Sequence, residues 1–545
     1  MSLRRFLLVA LGLLVGGGLV ACSGNLPNSA VSRHLAGRYA GALSDSTAVP
    51  TVIRDRGIKV PDISSSVPLL EQLRTQLAKS DPGGAYAGIT YDLTQGNTLP
   101  PDWIVQTPNA WGLKANALPK GHSEWLAQLV HDLIASARQR VDISLLQPAP
   151  DGQFLAAIRQ ALQELAQRHR PIQVRLIIGQ YPPDNVDVPA FYKALTDGFD
   201  LGRLTVSVAA FRSCVAVDDC DSYSWNHSKI IAIDGAEALV GGHNLWAEDY
   251  LVSEPVSDLS MHVKGPAVAS AVRFIDRLWE YVCTNLNQKD SIALASSTGS
   301  CPSPAALQVR KGKGGLQILG VGRMGAGITK DFANQSELAR DLTLASARHE
   351  IHIVQQDLGF GLGRADTLFP DSTIDRLVDF LRQGRGDIYI VLSNFGAKGK
   401  SGSTYSNDVT LATLAKHLKQ EVQRRFERRD PLLRYEVRRG PDPVNAMLCD
   451  HVHLAPFRFG PDDRWPSGDA IATHAKFWMV DGHVFYVGSD NMYPVNLQEY
   501  GYIVDDVRAA QQLTDAYWTP VWKWSSKAAV SGPEVKNCIF REVIK

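Results

Sequence analysis

The hydrophobic positions of the chain follow an order that occurs twice. In the first half, an apolar run at 141–147 is followed by a helical segment and a second apolar run at 174–178, and runs at 350–356 and 388–392 repeat this order in the second half. Short apolar runs joined through helices predict buried strands with parallel pairing. The pattern therefore predicts an α/β fold of two similar lobes, each a mixed, mostly parallel β-sheet flanked by helices.

A polar motif follows the second run in each half. Both copies fit H-x-K-x4-D-x6-G-[GS]-x-N without a gap, and two such matches in one chain indicate a duplicated domain rather than a short repeat. The motif residues are His227, Lys229, Asp234, Gly242 and Asn244 in the first copy, and His474, Lys476, Asp481, Ser489 and Asn491 in the second.

The spacing within the motif places chemical groups on one surface. Residues i and i+2 of a strand face the same side, so the His and Lys of each copy project together. The Asp is followed by Gly, which predicts a hairpin turn. The small residues Gly242 and Ser489 permit close backbone approach, and the Asn supplies an amide.

Two such lobes packed face to face would surround a pocket with two imidazoles, two ammonium groups and two amides. This set suits a phosphodiester, because the cations and amides hold the non-bridging oxygens. One imidazole then attacks phosphorus, and the other protonates the leaving alcohol. The alternative interpretation is a duplicated structural strand, and two complete copies favour catalysis.

The chain divides into five predicted segments: a signal peptide at 1–21, a tether at 22–65, a first catalytic lobe at 66–285, a linker at 286–315 and a second lobe at 316–545. Arg4 and Arg5 precede an apolar stretch that is too short and too rich in Gly for a spanning helix, which indicates export. Cys22 follows a small residue, as in a bacterial lipobox, and is the predicted lipidation site; ordinary signal cleavage is the alternative.

Composition indicates which class of ligand is disfavoured and how the cysteines are used in an exported protein. The 56 Lys and Arg balance 56 Asp and Glu, which argues against a binder of nucleic acid. Seven Cys are present, and an exported chain would keep six besides Cys22. Six Cys permit fifteen pairings. Spacing favours Cys214–Cys220, Cys283–Cys301 and Cys449–Cys538 as a hypothesis.

Two further patterns carry less weight. Gly320–Gly325 fits G-x-G-x-x-G, but without a supporting context we interpret it as a turn. His451 and His453 beside Cys449 resemble metal ligands, although a disulfide at Cys449 and a surface strand explain these residues better.

The paired motif resembles the signature of the phospholipase D superfamily, and the resemblance is greatest to the secreted actinobacterial type. It extends over roughly 67–538 and includes the stretches at 224–229, 255–258, 355–358 and 501–504. The resemblance implies an active site at the lobe interface and a phosphohistidine intermediate, which water or an alcohol resolves.

Residue roles also come from this resemblance. By position His227 is similar to the nucleophile and His474 to the general acid. Asp258 resembles the acid that orients the first His, and Glu499 stands where the family usually has an Asp for the second. Aromatic positions on the headgroup side, where a quaternary ammonium can sit by cation–π attraction, are matched by Trp246, Tyr250 and Tyr405. On spacing alone, these three are equally well explained as core or rim aromatics.

The expected function is hydrolysis of phosphatidylcholine-type lipids to phosphatidic acid and the free headgroup alcohol, with transphosphatidylation to alcohols. The expected partners are a phospholipid at a membrane surface and a water or alcohol acceptor, with no nucleic acid, for a monomer anchored to the cell envelope through Cys22. No cofactor and no metal are expected. The alternatives are a nuclease or phosphatidyltransferase of the same superfamily, and a non-catalytic lipid-binding lipoprotein.

Overall fold

Two mixed β-sheets flanked by helices carry the two copies of the motif. The computed structural model describes residues 48–182, 184–214, 223–304, 312–329, 333–361, 367–384, 386–407, 409–427 and 442–542. Cys22 and most of the predicted tether lie outside these residues. Within them, no helix is long and apolar enough to cross a membrane.

The strands are β1 (Tyr91–Asn97), β2 (Ile104–Thr107), β3 (Arg140–Leu146), β4 (Ile172–Gly179), β5 (Leu204–Cys214), β6 (Tyr223–Trp225), β7 (Ile230–Ile233), β8 (Glu237–Gly241), β9 (Asp258–Lys264), β10 (Ile292–Ser296), β11 (Leu316–Met324), β12 (Glu350–Gln355), β13 (Phe360–Gly361), β14 (Thr367–Leu368), β15 (Asp387–Leu392), β16 (Val452–Pro456), β17 (Phe477–Val480), β18 (Val484–Gly488) and β19 (Gln498–Asp505).

The α-helices are α1 (Ala48–Asp55), α2 (Leu69–Ser80), α3 (Glu124–Ala135), α4 (Gly152–Gln167), α5 (Val188–Thr196), α6 (Ala247–Tyr250), α7 (Ala267–Thr284), α8 (Gln335–Ser346), α9 (Asp371–Leu381), α10 (Leu411–Glu427), α11 (Pro443–His451), α12 (Val507–Leu513), α13 (Thr519–Ser525) and α14 (Ile539–Glu542).

The duplication seen in the sequence is a duplication of sheet topology. The first sheet contains the order β5-β4-β3-β7-β8-β9, and the second contains β16-β15-β12-β17-β18-β19 with the same pairing directions. Every residue of β3, β7, β17 and β18 is buried. The two-lobe α/β fold is therefore confirmed.

Parallel pairing is less extensive than predicted. It joins only β3, β4 and β5 in the first sheet and β12, β15 and β16 in the second, and the other pairs on the main path of each sheet are antiparallel. The prediction of mostly parallel sheets is wrong because each motif strand returns through a tight hairpin, and a tight hairpin can join only antiparallel strands.

The strands also cross the predicted lobe boundaries. β1, from the predicted first lobe, pairs with β11 in the second sheet, and β10, from the predicted linker, pairs with β5 in the first sheet. The predicted tether extends too far, since α1 lies within it and Ile58 is buried in the core. The predicted turn at Gly320–Gly325 is instead mostly strand, because β11 continues to Met324.

Two of the three proposed disulfides are present. Cys283 is bonded to Cys301 and Cys449 to Cys538, with Cα–Cα distances of 5.9 and 6.0 Å. The third proposed pair, Cys214–Cys220, stays a prediction, because Cys220 lies outside the described residues. The bond from Cys449 ties the end of α11 to the start of α14, so it fixes the C-terminal segment to the second lobe.

The aspartate of each motif copy caps the neighbouring strand. Asp234 has a φ of +52°, and its carboxylate accepts hydrogen bonds from the backbone N–H groups of Arg138, Gln139 and Arg140 at 2.8–2.9 Å. Asp481, with a φ of +50°, does the same for the N–H groups of residues 348–350. The left-handed conformation at Asp and at the following Gly matches the tight hairpin turn.

We expect Asp234→Ala to destabilise the fold. Three backbone donors lose their acceptor, and Ala tolerates the left-handed conformation less well than Asp, so the free energy of unfolding should fall by about 2 kcal/mol. Urea unfolding followed by circular dichroism measures the loss. Asp234→Asn keeps an oxygen acceptor and should lose less. An unchanged unfolding midpoint for Asp234→Ala would contradict the capping role.

Candidate active site

The motif histidines lie where the two sheets meet. His227 precedes β7 and His474 precedes β17, so each histidine stands at the mouth of its own hairpin. The backbone N–H of His227 donates to the carbonyl of Gln498 at 2.8 Å, and the N–H of His474 donates to the carbonyl of Ser257 at 2.7 Å. These two equivalent backbone contacts bring the ring centroids of the histidines to 6.1 Å from each other.

Each histidine is oriented by an acid from the other lobe. His474 Nδ1 lies 2.9 Å from Asp258 Oδ2, and His227 Nδ1 lies 3.1 Å from Glu499 Oε2. The assignment of Asp258 to the first His and Glu499 to the second is therefore wrong. The acids cross over because β9 and β19 each begin at the interface, beside the residue that precedes the partner histidine.

The small residues of the motif make room for these acids in different ways. A Cβ atom on Gly242 would lie 2.0 Å from Asp258 Oδ1, so the shorter acid requires glycine there. At the equivalent position, Ser489 donates its hydroxyl to Glu499 Oε2 at 2.6 Å. The longer acid, Glu499, therefore faces a serine that donates a hydrogen bond to it, whereas the shorter acid, Asp258, faces a glycine that leaves space for it.

The motif lysines are buried beside the histidines. Lys229 Nζ donates to the carbonyl of His227, and Lys476 Nζ to the carbonyl of His474, both at 2.6 Å. Burial lowers the pKa of Lys229 to about 7, although the carboxylates of Glu499 and Asp258 oppose the shift. Burial likewise lowers the pKa of Lys476 well below its ordinary value.

The two asparagines differ in how their amides are used. The Asn244 side chain is buried, and neither its oxygen nor its nitrogen has a hydrogen-bond partner within the described part of the chain. Asn491 donates from Nδ2 to the hydroxyl of Tyr493 at 2.7 Å. A buried amide without a partner is costly, so Asn244 is poised to bind a polar ligand.

Burial also sets the protonation of the histidines. It lowers the pKa of His227 well below the ordinary value, and the charges of Lys229 and Lys476 act in the same direction. Burial and Lys476 lower the pKa of His474 too, although the Asp258 carboxylate opposes them. Both imidazoles are therefore neutral at neutral pH.

The two acids respond differently to their surroundings. Burial raises the pKa of Glu499, which Arg323 and Lys229 only partly offset. Burial also acts to raise the pKa of Asp258, but the electrostatic interactions of its carboxylate with His474 and His243 outweigh burial and hold that pKa below the ordinary range. Asp258 thus remains ionised.

Two of the three predicted aromatic residues lie on the His474 side. The Tyr405 ring packs edge-on against the His474 ring, with centroids 5.0 Å apart, and the Tyr250 hydroxyl donates to Asp258 Oδ2 at 2.7 Å. Trp246 is buried in the first lobe, where its indole N–H donates to the carbonyl of Pro148 at 2.8 Å.

Two charged residues at the site were not predicted. Asp249 Oδ2 accepts the hydroxyl of Tyr405 at 2.5 Å, which links the lobes, and Arg323 lies 3.8 Å from Glu499 Oε1. The sequence contains no signal for Asp249. Arg323 lies inside the G-x-G-x-x-G match that we interpreted as a turn. Its place opposite Glu499 becomes visible only once this stretch is recognised as strand β11.

The site can bind and react with a compact anion. Two lysine side chains and the unpaired amide of Asn244 surround two neutral imidazoles, and a bound anion favours the charged form of the lysines. One imidazole can attack or accept a proton, and the other can donate a proton once the anion has raised its pKa. Among the described residues, no group of three or more His, Cys, Asp or Glu side chains is arranged to hold a metal ion.

Comparison with known proteins identifies similar chains. A phospholipase D of Streptomyces antibioticus is 31% identical over 520 residues, which cover 85% of this chain and 89% of that protein. No protein-family model matches the sequence. Among solved structures, a phosphatidylserine synthase of Haemophilus influenzae Rd KW20 aligns with a TM-score of 0.47 at 11% identity, over 84% of this chain and 91% of its own. A polyphosphate kinase of Porphyromonas gingivalis aligns with a TM-score of 0.37 at 10% identity, over 76% and 49%.

The depressed histidine pKa values predict acid sensitivity. His227 and His474 are neutral when folded but bind protons below about pH 6.5 when unfolded, so the unfolded state gains protons and stability falls as the pH decreases through that value. Where the unfolded imidazole is fully protonated and the folded one is fully neutral, each histidine lowers the free energy of unfolding by about 1.4 kcal/mol for each pH unit of acidification.

Urea unfolding at pH 7, 6 and 5 measures this dependence. The double variant His227→Gln, His474→Gln lacks both titrations and should lose stability less steeply than the wild type on acidification. Equal slopes for the two proteins would mean that these histidines are protonated in the folded state.

Proposed function

The chain belongs to the phospholipase D family, and on that premise we propose that it hydrolyses phosphatidylcholine-type phospholipids to phosphatidic acid and the free headgroup alcohol. The observation that carries this proposal is the pair of motif histidines, 6.1 Å apart between ring centroids, each held through Nδ1 by a carboxylate of the opposite lobe. This arrangement leaves Nε2 of each ring for reaction with a phosphodiester.

In the first step, His227 acts as the nucleophile. Its Nε2 attacks phosphorus and forms a P–N bond, while the bond between phosphorus and the headgroup oxygen breaks. His474 donates a proton from Nε2 to that oxygen, so the headgroup leaves as a neutral hydroxyl. The lipid phosphate is an anion, and its charge raises the pKa of the buried His474, which binds the required proton together with the substrate.

In the second step, the phosphohistidine is resolved. A water molecule attacks phosphorus, His474 takes its proton, and the P–N bond breaks to release phosphatidic acid and restore His227. A primary alcohol in place of water gives a phosphatidyl-alcohol by the same sequence. His227 and His474 carry out the bond-forming and proton-transfer roles in both steps, and the acceptor is water or an alcohol.

The remaining motif residues stabilise charge on the phosphate. Lys229 and Lys476 are buried within reach of the histidines, where low dielectric strengthens their attraction to the non-bridging oxygens. Asn244 can donate a hydrogen bond to the phosphate without breaking an existing one, because its amide has no hydrogen-bond partner among the described residues. Asn491 provides the equivalent amide from the second lobe. Asp258 and Glu499 hold the histidine tautomers with Nδ1 protonated.

The position of the headgroup follows from the assignment of His474 as the general acid. Because His474 protonates the leaving oxygen, the headgroup lies on the side of His474, where the Tyr405 ring packs. An aromatic face there favours a quaternary ammonium such as choline. The Tyr250 hydroxyl is committed to Asp258, so its contribution is mainly to hold that acid, and Trp246 packs in the core of the first lobe and is given no role toward the headgroup.

The proposed reaction predicts distinct products with and without alcohol. Purified protein should convert phosphatidylcholine micelles to phosphatidic acid and choline, and a primary alcohol should add a phosphatidyl-alcohol. His227→Ala and His474→Ala should each lower kcat/KM by roughly 10³-fold or more, since each removes a group that the chemical steps require. Mass spectrometry of the lipid products and a choline assay measure the outcome.

His483→Ala is the matched control. His483 lies in the second hairpin turn and pairs with Asp505 rather than with the site, so this variant should retain activity. Full activity in either site variant would overturn the mechanism. A phosphate label trapped on His474 rather than His227 would exchange the two roles and keep the reaction.

We further propose that the protein is exported as a monomer and held at the cell envelope by a lipid on Cys22. The proposal rests on the paired arginines, the short apolar stretch and the Cys after a small residue, and it would place the site beside its membrane substrate.

Metabolic labelling tests the anchor. Cells that express the full chain and grow with radiolabelled palmitate should label the protein, and Cys22→Ser should abolish the label and release the protein from membranes. A wild-type protein that stays unlabelled, with a mature N-terminus other than Cys22, would contradict lipid anchoring.

A further inference from the structure

The two half-sites hold their acids with different partners. In the first lobe, Asp258 accepts hydrogen bonds from the Tyr250 hydroxyl and from the backbone N–H of Leu259, at 2.7 and 2.8 Å. In the second lobe, Glu499 accepts the Ser489 hydroxyl on Oε2, whereas the nearest nitrogen to Oε1 is His227 Nδ1 at 3.0 Å, so apart from the histidine that it orients no described residue donates a hydrogen bond to Oε1. The second acid therefore needs another source of stabilisation.

Arg323 is the cation placed to supply it. Arg323 on β11 is the direct cross-strand partner of Glu499 on β19, and its Nη2 lies 3.8 Å from Oε1. The guanidinium is almost fully buried, with 4% of the side chain exposed. At this depth an ionic interaction is only weakly screened by solvent.

The guanidinium is fixed in place by its other contacts. Its Nε donates to the carbonyl of Leu497 at 3.1 Å, and its Nη2 donates to Asp490 Oδ1 at 2.6 Å. Asp490 in turn accepts the Ser336 hydroxyl at 2.6 Å and lies 3.6 Å from Arg340. Arg323 is thus held by groups that do not take part in the chemistry.

The other cations near Glu499 are less suited than Arg323 to keep the Glu499 carboxylate ionised. Lys229 and Lys476 also attract the carboxylate, but both are buried cations whose own pKa values are lowered, and both are assigned to the phosphate. A guanidinium group differs from a lysine amine in keeping its charge over the whole working pH range. Asp490 and Glu337 face Arg323 at 2.6 and 3.9 Å and partly balance its charge. Further titratable neighbours of Glu499 are His227, Tyr486 and Tyr493.

We propose that Arg323 is a positioning residue that keeps Glu499 ionised and aimed at His227, and so sets the acid limit of the nucleophile. The inference rests on the proposed function, in which His227 must attack as a neutral imidazole with Nδ1 bonded to a carboxylate. Without the guanidinium, the buried Glu499–His227 pair takes up a further proton at a higher pH and the nucleophile is lost. The first half-site achieves the same end without an arginine, through two hydrogen bonds to Asp258.

Removal of the Arg323 charge tests the proposal. Arg323→Gln keeps an amide that can reach Asp490, and Arg323→Met is a second variant should the first not fold. The acid limb of kcat/KM against pH should move up by about one pH unit, which is roughly a tenfold loss on that limb, while the alkaline plateau changes less. Arg323→Lys, which restores the charge, should recover most of the shift.

Two further variants separate positioning from general damage. Arg340→Met removes a buried arginine of the same network that is not in contact with Glu499, so it should lower the thermal midpoint and leave the acid limb in place. In a Glu499→Gln background, Arg323→Gln should cause a smaller additional shift, because only the direct effect of the guanidinium charge on His227 remains. An unmoved limb in Arg323→Gln, or an equal shift in Arg340→Met, would overturn the proposal.

A titration without substrate distinguishes failure of the inference from failure of the proposed function. The ¹³Cε1 NMR signal of His227, assigned by its absence in His227→Gln, should titrate at higher pH in Arg323→Gln than in the wild type. Loss of phosphatidylcholine turnover in the wild type would refute the proposed function alone. Identical titrations in the two proteins would refute the role of Arg323, whatever the substrate.

Discussion

The structure depends on two buried carboxylate–histidine pairs that cross the lobe interface. Asp258 of the first lobe holds His474, and Glu499 of the second holds His227. A buried acid left without its partner is strongly destabilising, so each lobe must bury its acid against the other lobe. The contacts that orient the site are therefore also contacts that join the lobes, and neither lobe contains a complete half-site.

This crossing explains why the duplication had to keep its register. The backbone contacts of His227 with Gln498 and of His474 with Ser257 are equivalent, and they place each acid one residue beyond the strand bridge. A slip of one residue would turn the acid to the opposite face of its strand. The Asp caps at the hairpin turns resist such a slip, because each holds three consecutive backbone N–H groups where the neighbouring strand begins.

Within this symmetry, the two half-sites differ chemically. Gly242 makes space for a short acid that is satisfied by a tyrosine and a backbone N–H, whereas Ser489 and Arg323 support a longer acid whose pKa burial has raised. The asymmetry suits a reaction in which one imidazole attacks and the other transfers a proton, since the two need different charge environments. Burial keeps both imidazoles neutral until an anionic substrate arrives.

Much of the fold and the site could be predicted from local pattern. The duplicated motif, the buried strands and the hairpin turns at Asp234 and Asp481 are all visible in the sequence because each depends on nearby residues or on a repeated spacing. The acids Asp258 and Glu499 were found only through the resemblance to the phospholipase D superfamily. The extent of parallel pairing, the placement of β1 in the second sheet and the strand through Gly320–Gly325 were missed, because each is decided by which distant strand completes a sheet edge.

By itself, the sequence determined that the chain holds two equivalent sets of imidazole, ammonium and amide groups, since the i, i+2 geometry of a strand follows from the backbone alone. Only the tertiary structure decided which acid serves which histidine and placed Arg323 opposite Glu499. Those pairings join residues more than 170 positions apart, and no local spacing encodes them. They exist because two lobes pack face to face and bury charges that only the opposite strand can satisfy.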